Sequence, residues 1–358
     1  MARQKLCVGI DIGASASKLC QLKKVKRGHV REHFGQVPLP PEAVVDGALM
    51  NSARIVEAIE ELITSHRIKH RQVALSVSGH SVIIKKIPLP QMDREELEES
   101  IQWEAEQFIP FDIADVNIDV QIVNEQSQQQ GQMDVVLVAA KKDLVNEYTS
   151  VIAEAGLEPT VCDVDPFAIE NMFAANYEGP MGGTIALVNV GASKTNINII
   201  RGGVSSLTRD LTIGGNAVTE EIQKQMHVSF EEAEALKLGG KASAEPLQTE
   251  PDAVLPMEVD RSITNIAENI TSEIQRSIDF YSATSADPSP SQIYLSGGTA
   301  QLRALKVALE NRMGVPIEIA DPFRNIQVPS GDREYLNTVG PAAAVAVGLA
   351  LRYPGDAL

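Results

Sequence analysis

Short apolar runs with the spacing of β-strands alternate with apolar residues at helical spacing along most of the chain. Val73–Val77 and Val82–Ile87 flank a Ser-Gly-His turn, so we expect two strands that pair with each other. Asn51 precedes isoleucines and leucines that recur one helical turn apart as far as residue 63, which predicts a capped amphipathic helix. Because strands and helices alternate in this way, the chain is predicted to fold as an α/β protein.

The segment 73–157 is predicted to form a compact unit of its own. After the first strand pair, Asp93 and Glu96 have the spacing of a capping box and predict a helix over 95–108. A second strand pair and a second helix complete the unit. The further predicted elements are strands at 116–123 and 134–140, the polar loop 126–132, a helix at 143–155, a capping box at Ser229 and Glu232, a polar loop at 241–256 and a long helix at 260–281.

Composition and charge limit the kinds of function. With 358 residues, the chain is long enough for roughly two to four subdomains. The net charge of −17 argues against nucleic acid or an anionic membrane surface as the main partner, because phosphates repel such a surface. The 3 cysteines are scattered and form no Cys-x-x-Cys pair, which indicates neither a disulfide framework nor a zinc site and favours a reducing cytoplasm.

Neither end of the chain resembles a membrane segment. Asp11 interrupts the N-terminal apolar run too early for a signal peptide. The longest apolar stretch, 341–351, is too short to span a bilayer and is rich in alanine and glycine. We expect it to be a helix packed tightly in a core.

One strand–turn–strand pattern occurs twice. Ile10–Ser15 corresponds to Val188–Ser193, and the glycines of the two Gly-Ala-Ser turns, Gly13 and Gly191, are 178 residues apart. A repeat at this distance indicates one supersecondary unit used in each of two halves. Gly-Ala-Ser is also an ordinary hairpin turn, but its small side chains leave backbone N–H groups open to an anion. Two such turns that face each other would clamp a polyphosphate between two domains.

Asp11 is an acidic residue in an otherwise apolar strand. Burial of a carboxylate is costly unless a partner compensates its charge. A hydrated Mg²⁺ beside a phosphate would suit, because Mg²⁺ is usually held by few carboxylates and several waters. We therefore expect Asp11 to orient Mg²⁺ through water.

Nearly the whole chain resembles the actin-like ATPase superfamily in the order of its motifs. Each motif is weak alone, but five in the correct order, one of them duplicated, form a strong pattern. The resembling segments are 11–15 and 189–193 for the two phosphate loops, 296–299 for the adenosine motif, 165–168 and 340–344 for two connecting helices, and 229–237 for a nucleoside-binding segment of FtsA and MreB. The resemblance implies two ribonuclease-H-like halves around a nucleotide, with ATP and Mg²⁺ as cofactors.

The resemblance also implies roles for individual residues. Asp165 would position the attacking water. Lys18 would reach a phosphate, although an exposed lysine at a strand end is the simple alternative. The other implied contacts are to the phosphates from Gly13, Ala14, Ser15, Asn189, Gly191, Ala192 and Ser193, and to the nucleoside from Gly214, Gly215, Glu234, Lys237, Gly297, Gly298 and Thr299.

Asn189 departs from the superfamily pattern, in which an aspartate is usual at this position. An amide can still hydrogen-bond a metal-bound water, but it brings no negative charge and cannot serve as a base. Phosphoryl transfer depends mainly on electrostatic positioning around the metal. We therefore expect nucleotide binding with slow hydrolysis or none.

The insertion at 73–157 indicates which part of the superfamily the chain resembles, because FtsA has an insertion at this point whereas sugar kinases and heat-shock chaperones do not. Trp103–Phe111, Asn117–Asp119 and Lys86–Pro90 closely resemble the PilM family of type IV pilus assembly. This resemblance implies a cytoplasmic ATP-binding scaffold, peripheral at the inner face of the bacterial inner membrane. The groove beside the insertion would bind the N-terminal cytoplasmic tail of the membrane protein PilN. Other platform proteins and the motor ATPase are partners by analogy only. The alternative is that these strands and this helix merely pack on each other.

The resulting division of the chain and the alternative function are also expectations. An active ATPase or phosphotransferase of the actin or sugar-kinase fold would need a second small-molecule pocket, for which we find no further motif. The sequence neither supports nor excludes self-polymerisation into a filament. The predicted parts are 1–72 as the first half of domain I, 73–157 as the inserted partner-binding subdomain, 158–181 and 340–358 as connecting helices that close domain I, and 182–339 as domain II with a small subdomain at about 216–290.

Overall fold

The computed structural model describes residues 5–124, 131–178, 183–239, 257–285 and 287–356. The described strands are β1 (Val8–Ile12), β2 (Ala16–Lys24), β3 (His29–Pro38), β4 (Val44–Val45), β5 (Ala48–Leu49), β6 (Gln72–Val77), β7 (Val82–Pro90), β8 (Val116–Asn124), β9 (Gln132–Lys141), β10 (Glu158–Val164), β11 (Thr184–Val190), β12 (Thr195–Arg201), β13 (Val204–Leu211), β14 (Ile293–Ser296), β15 (Ile317–Ile319) and β16 (Ile326–Gln327). The described α-helices are α1 (Ser52–Ser65), α2 (Arg94–Glu106), α3 (Lys142–Glu154), α4 (Asp165–Asn176), α5 (Gly215–Met226), α6 (Phe230–Lys237), α7 (Met257–Thr284), α8 (Arg303–Met313), α9 (Arg333–Val339) and α10 (Ala344–Leu349). Short 3-10 helices span Ile113–Asp115, Gly298–Gln301, Ser330–Asp332 and Gly340–Ala343.

Two sheets repeat one topology and confirm the predicted duplication. The first sheet has the order β10-β6-β1-β2-β3-β16 and the second has the order β13-β12-β11-β14-β15. In each sheet three consecutive strands are antiparallel, and the first of these lies parallel to a later strand. The two Gly-Ala-Ser turns join β1 to β2 and β11 to β12, so they occupy equivalent positions in the two halves.

Helices α4 and α10 pack between the two sheets. Side chains of both helices share a hydrophobic core with Cys20 of the first sheet and Leu187 of the second. A Cβ placed on Gly348 of α10 would lie 1.7 Å from the carbonyl oxygen of Ala168 in α4, so the two helices meet backbone to backbone. The predicted tightly packed segment at the C-terminal end of the chain is therefore confirmed, since all of α10 is buried.

The strand pair predicted at 73–77 and 82–87 is wrong. β6 lies in the first sheet between β1 and β10, whereas β7 pairs with β9 in a separate sheet of order β7-β9-β8. The physical reason is burial: β6 is buried without interruption from Val73 onward, as is typical of a central parallel strand, while β7 buries only Ile87 and Leu89.

The third sheet and α2 form the inserted unit. The core of this unit joins β7, β8 and β9 to the apolar face of α2. Helix α3, in contrast, packs with the first sheet through residues such as Tyr148 and Ile152. The third sheet begins at residue 82 and ends at residue 141, within the predicted insertion 73–157.

The predicted helix caps are confirmed. Asp93 accepts a hydrogen bond from the Glu96 N–H at 2.9 Å, and the Glu96 side chain accepts one from the Asp93 N–H at 3.2 Å. Ser229 and Glu232 form the same reciprocal pair at the start of α6. The predicted loop 241–256 and most of the loop 126–132 lie outside the described residues. None of the helices described here combines the length and apolar character needed to cross a membrane.

Candidate functional site

The two Gly-Ala-Ser turns have the same backbone hydrogen bonding. Gly13 and Gly191 each donate their N–H to the carbonyl three residues later, at 3.1 and 2.9 Å. Within the described residues, no protein acceptor binds the N–H groups at the tips of the turns, 14–15 and 192–193. Open N–H groups of this kind are the donors that an anion-binding nest requires.

Behind each turn, one cross-strand pair occupies the same register. Asp11 lies opposite Lys18 in the first hairpin, and Asn189 lies opposite Asn196 in the second. The Lys18 Nζ donates to Asp11 Oδ2 at 2.9 Å, and the Asn189 Nδ2 donates to Asn196 Oδ1 at 3.0 Å. An ion pair in one half is therefore matched by a neutral amide pair in the other.

The Asp11 carboxylate has only 13% of its side-chain surface exposed. Burial raises the pKa of Asp11, and the neighbouring Lys18 opposes that effect. Asp165 raises the Asp11 pKa further and Lys194 lowers it, so charges from both halves act on this carboxylate. Lys18 lies beside the predicted phosphate loop, as expected, but its charge is compensated by Asp11.

Both ends of the Asn189 amide are engaged. Its nitrogen donates to Asn196, and its oxygen accepts from the Ser296 hydroxyl at 3.2 Å. Asn196 in turn donates to Asp210 Oδ1 at 2.7 Å, and Asp210 Oδ2 accepts the Gly79 N–H at 2.6 Å. A polar network thus runs from the adenosine motif through the second hairpin to the first half.

Asp165 lies at the first position of α4 and is held by two serines from the region where β6 ends. Ser76 donates to Asp165 Oδ1 at 2.6 Å, and Ser78 donates to Asp165 Oδ2. Lys194, directly after the second Gly-Ala-Ser turn, donates to the Ser78 hydroxyl. Ser78, Lys194 and Asp210 are site residues that sequence reasoning missed. The only sequence feature that could have indicated one of them was the position of Lys194 next to the repeated turn.

The predicted nucleoside-binding residues converge around the start of α5. The Thr299 hydroxyl donates to the Gly191 carbonyl at 2.8 Å, which connects the adenosine motif to the second turn. Lys237 is buried, and its Nζ lies 3.3 Å from the Gly215 carbonyl and 2.6 Å from Glu234 Oε2. The predicted residues of segments far apart in sequence are therefore brought together here.

At three of the predicted nucleoside-site glycines, neighbouring atoms of the protein leave no space for a side chain. A Cβ on Gly214 would lie 2.6 Å from the Gly191 carbonyl oxygen, and one on Gly215 would lie 2.4 Å from the Thr299 hydroxyl. A Cβ on Gly297 would lie 2.2 Å from a backbone oxygen of β11. At Gly298 the nearest atom would be 4.0 Å away, so of these four only Gly298 has room for a side chain.

The donor set around Asp11 fits a hydrated cation better than one held by protein ligands. No group of three or more His, Cys, Asp or Glu side chains within the described ranges is arranged to hold a metal ion. Asp11 Oδ2 is engaged by Lys18, whereas Oδ1 lies on the side of the turn, 4.0 Å from a Cβ built on Gly13. A Mg²⁺ at this place would be held mainly by water and phosphate oxygens.

A second surface feature lies on the inserted sheet. A groove of about 800 Å³ runs between α2 and β8, the outer edge strand of that sheet. Its apolar walls include the buried Ile101 and the half-buried Ile113, Ile118 and Val120, and its charged rim includes Arg94. The groove is separate from the cleft between the two hairpins.

Comparison with known proteins decides the family. A sequence model described as "Type IV pilus assembly protein PilM" matches residues 9–353. This chain belongs to the PilM family. The solved structure of a "PilM-PilN type IV pilus biogenesis complex" is similar to it with a TM-score of 0.85 and 29% identity, covering 99% of each chain. The actin-like ATPase fold is thereby established.

The cell division protein FtsA is a more distant relative. FtsA of Streptococcus pneumoniae is 22% identical over 363 residues, which covers 90% of this chain and 77% of that protein. FtsA of Bacillus subtilis is 26% identical over 106 residues, and that match spans only 30% of this chain and 24% of that protein. These matches agree with the predicted relationship to FtsA.

Proposed function

We propose that this PilM-family chain is a nucleotide-binding scaffold of the type IV pilus platform. ATP with Mg²⁺ lies between the two halves, and the N-terminal tail of PilN lies in the groove of the inserted sheet. The observation that carries the nucleotide part is the repeated turn. Each half presents open N–H groups at an equivalent position, with Asp11 beside the first turn and Lys194 beside the second.

The nucleotide is oriented by groups at both ends of the cleft. The open N–H groups of residues 14–15 and 192–193 face the phosphates, and Asp11 orients the hydrated Mg²⁺. The nucleoside lies towards Gly298, Thr299 and Lys237, where the second turn, the adenosine motif and α5 meet.

Hydrolysis is slow or absent in this proposal. Asn189 supplies no charge, and both ends of its amide are already engaged by Asn196 and Ser296. Asp165 remains the carboxylate that would position a water, and it is held by two serine hydroxyls. Because phosphoryl transfer depends on charge placed around the metal, a cleft whose second hairpin has the neutral pair Asn189 and Asn196 behind its turn favours binding over turnover.

The groove suits an extended peptide with apolar side chains. Among the strands that the structure describes, β8 pairs only with β9, so its other edge is open to an added strand. A peptide on that edge gains main-chain hydrogen bonds, and alternate side chains enter the pocket between Ile101, Ile118 and Val120. This is the mode of binding we propose for the PilN tail.

The proposed location follows from the partner. In this proposal PilN is the inner-membrane protein that the family resemblance implies, and its cytoplasmic tail holds the scaffold at the inner face of that membrane. The net charge of −17 disfavours direct attachment to anionic lipid. Other platform proteins and the motor ATPase would be reached through the assembly.

A peptide titration with a matched pair of variants tests the groove. Gln102 and Gln107 are both exposed, but only Gln102 lines the groove. We expect Gln102→Arg to weaken binding of a dye-labelled PilN-tail peptide by roughly tenfold, which corresponds to about 1.4 kcal/mol. Gln107→Arg is expected to bind like the wild type. The readout is fluorescence anisotropy, with and without ATP and Mg²⁺.

An internal reporter supports the same titration. Trp103 is the sole tryptophan of the chain, is 80% exposed and follows Gln102 on α2. Peptide binding in the groove is expected to change its emission. Equal affinity of both arginine variants would place the peptide elsewhere, and no binding in either nucleotide state would contradict the proposed partner.

A further inference from the structure

One lysine of the second half reaches across to the first. The backbone of Lys194 closes the second Gly-Ala-Ser turn by accepting the Gly191 N–H at 2.9 Å. Its side chain leaves the hairpin, and the Nζ donates to the hydroxyl of Ser78, just beyond the end of β6. The phosphate-loop backbone of one half is thereby joined to the other half through one side chain.

Ser78 passes this contact on to Asp165. A hydroxyl has one proton to donate, and the Ser78 proton is directed at Asp165 Oδ2 while its oxygen accepts from Lys194. The ammonium of Lys194 and the carboxylate of Asp165 are therefore connected through one neutral hydroxyl and not by direct contact.

A second crossing lies next to the first. Asp210 of β13 accepts the Gly79 N–H at 2.6 Å and is itself held by Asn196 at 2.7 Å. Ser78 and Gly79 are consecutive, so two residues of the second half hold the same short segment. That segment leads directly into the inserted sheet, since the Gly79 carbonyl accepts the Val82 N–H at 3.0 Å.

The charge of Lys194 is compensated differently from that of the other cleft lysines. Lys18 is paired with Asp11 at 2.9 Å and Lys237 with Glu234 at 2.6 Å. Among the residues that the structure describes, Lys194 has a hydroxyl partner but no direct ion pair. An anion that enters between the turns meets weaker competition at Lys194 than at the two paired lysines.

The ammonium of Lys194 lies beside backbone of the first half that carries no side chain. Its nearest neighbours from the first half include two glycines: a Cβ on Gly47 would lie 3.7 Å from the Nζ, and one on Gly79 would lie 4.0 Å from it. Lys194 also lies close enough to Asp11 and Asp210 to lower the pKa of each carboxyl, against the larger effect of burial. The side chain therefore lies where the predicted metal and phosphate positions meet.

We propose that Lys194 is a two-position latch that responds to the terminal phosphate of a nucleoside triphosphate. Without nucleotide it binds Ser78 and ties the two halves together. With a triphosphate between the turns, the ammonium binds the terminal phosphate and releases Ser78, which ends its indirect connection to Asp165. This inference rests on the proposed nucleotide binding and adds to it how the cleft distinguishes a triphosphate from a diphosphate.

The latch also connects the cleft to the groove. Release of Ser78 removes one of the two contacts that hold the segment leading into β7. The inserted sheet then keeps the Asp210 contact at Gly79 and the contact of the Thr208 hydroxyl of β13 with the Ile84 carbonyl at 3.3 Å, and its position relative to the second half changes with the terminal phosphate. The groove on β8 belongs to the same sheet.

Two variants with opposite expected effects test the latch. Lys194→Met keeps an unbranched side chain of similar bulk and removes the charged terminal nitrogen, so we expect it to weaken ATP binding at least roughly tenfold and ADP binding much less. Ser78→Ala removes the competing partner of Lys194, together with one hydrogen bond to Asp165, and keeps the ammonium, so ATP binding is expected to be equal to or tighter than that of the wild type. Lys26→Met, an exposed lysine in the β2–β3 turn, is the matched control. Fluorescent ATP and ADP analogues provide the affinities.

Hydrogen exchange of the segment 76–84 gives a second readout. In the wild type, ATP but not ADP is expected to speed exchange in this segment, and in Lys194→Met exchange is fast without nucleotide. If the wild type binds ATP and Lys194→Met binds it equally well, the latch is wrong while the nucleotide site stands. If the folded wild type binds neither nucleotide, the proposed nucleotide function fails, and the latch fails with it.

Discussion

At the scale of single residues, the two hairpins share one geometry but differ in the charge of the residue pair behind the turn. Asp11 and Lys18 in the first hairpin occupy the positions of Asn189 and Asn196 in the second. A second buried ion pair would cost desolvation, whereas two amides satisfy each other without charge. The sequence identified Asn189 as a departure, but its matching partner Asn196 became evident only from the cross-strand register.

Asp163 shows how burial tunes a single carboxyl outside the cleft. It is fully buried at the end of β10, and its Oδ2 lies 3.1 Å from the Arg352 Nε. Burial raises the pKa of Asp163 from 3.8 to about 6, and the charge of Arg352 opposes that shift. Because the folded-state pKa is the higher one, the stabilising contribution is complete below pH 3.8 and is lost as the pH rises through about 6.

The substitution Asp163→Asn removes this titration. We expect the free energy of unfolding of the wild type to fall relative to that of the variant by about 1–3 kcal/mol between roughly pH 4 and 7, since one pKa unit corresponds to about 1.4 kcal/mol. Urea unfolding of both proteins across this pH range measures the difference. Parallel pH profiles would show that Asp163 does not titrate in this window.

At the scale of elements, the sequence predicted what local chemistry encodes. The capping boxes at Asp93 and Ser229 are determined within four residues, and both are present. The predicted pairing of β6 with β7 was wrong, because the pairing of a strand depends on which other strands of the chain lie on either side of it. The unbroken burial of β6 was the available signal for a central strand.

The crossing of α4 and α10 provides a test of element packing. A Cβ on Gly348 would collide with the Ala168 carbonyl, so Gly348→Ala is expected to lower the free energy of unfolding by about 3 kcal/mol through overpacking. Gly331→Ala is the matched control, because a Cβ there would meet no atom within 4 Å. Chemical denaturation measures both, and equal stability of the two variants would contradict the close approach.

At the scale of the whole molecule, the repeat predicted two equivalent halves but not the contacts between them. The turns, Asp165 and the adenosine motif could be found because each carries a local pattern. Ser78, Lys194 and Asp210 could not, because they meet only when segments more than 100 residues apart come together. Contacts between domains leave no periodicity in the sequence, so this part of the site required the structure.

The central claim concerns the molecule as a whole: the two halves hold ATP between their repeated turns with little hydrolysis. The most direct test is the nucleotide content of the purified protein, released by denaturation and separated by chromatography, before and after incubation with ATP and Mg²⁺. The account predicts intact ATP that stays bound for hours. ADP that accumulates at a rate on the order of one turnover per second or more would contradict the scaffold, and a protein that retains no nucleotide would contradict the nucleotide site itself.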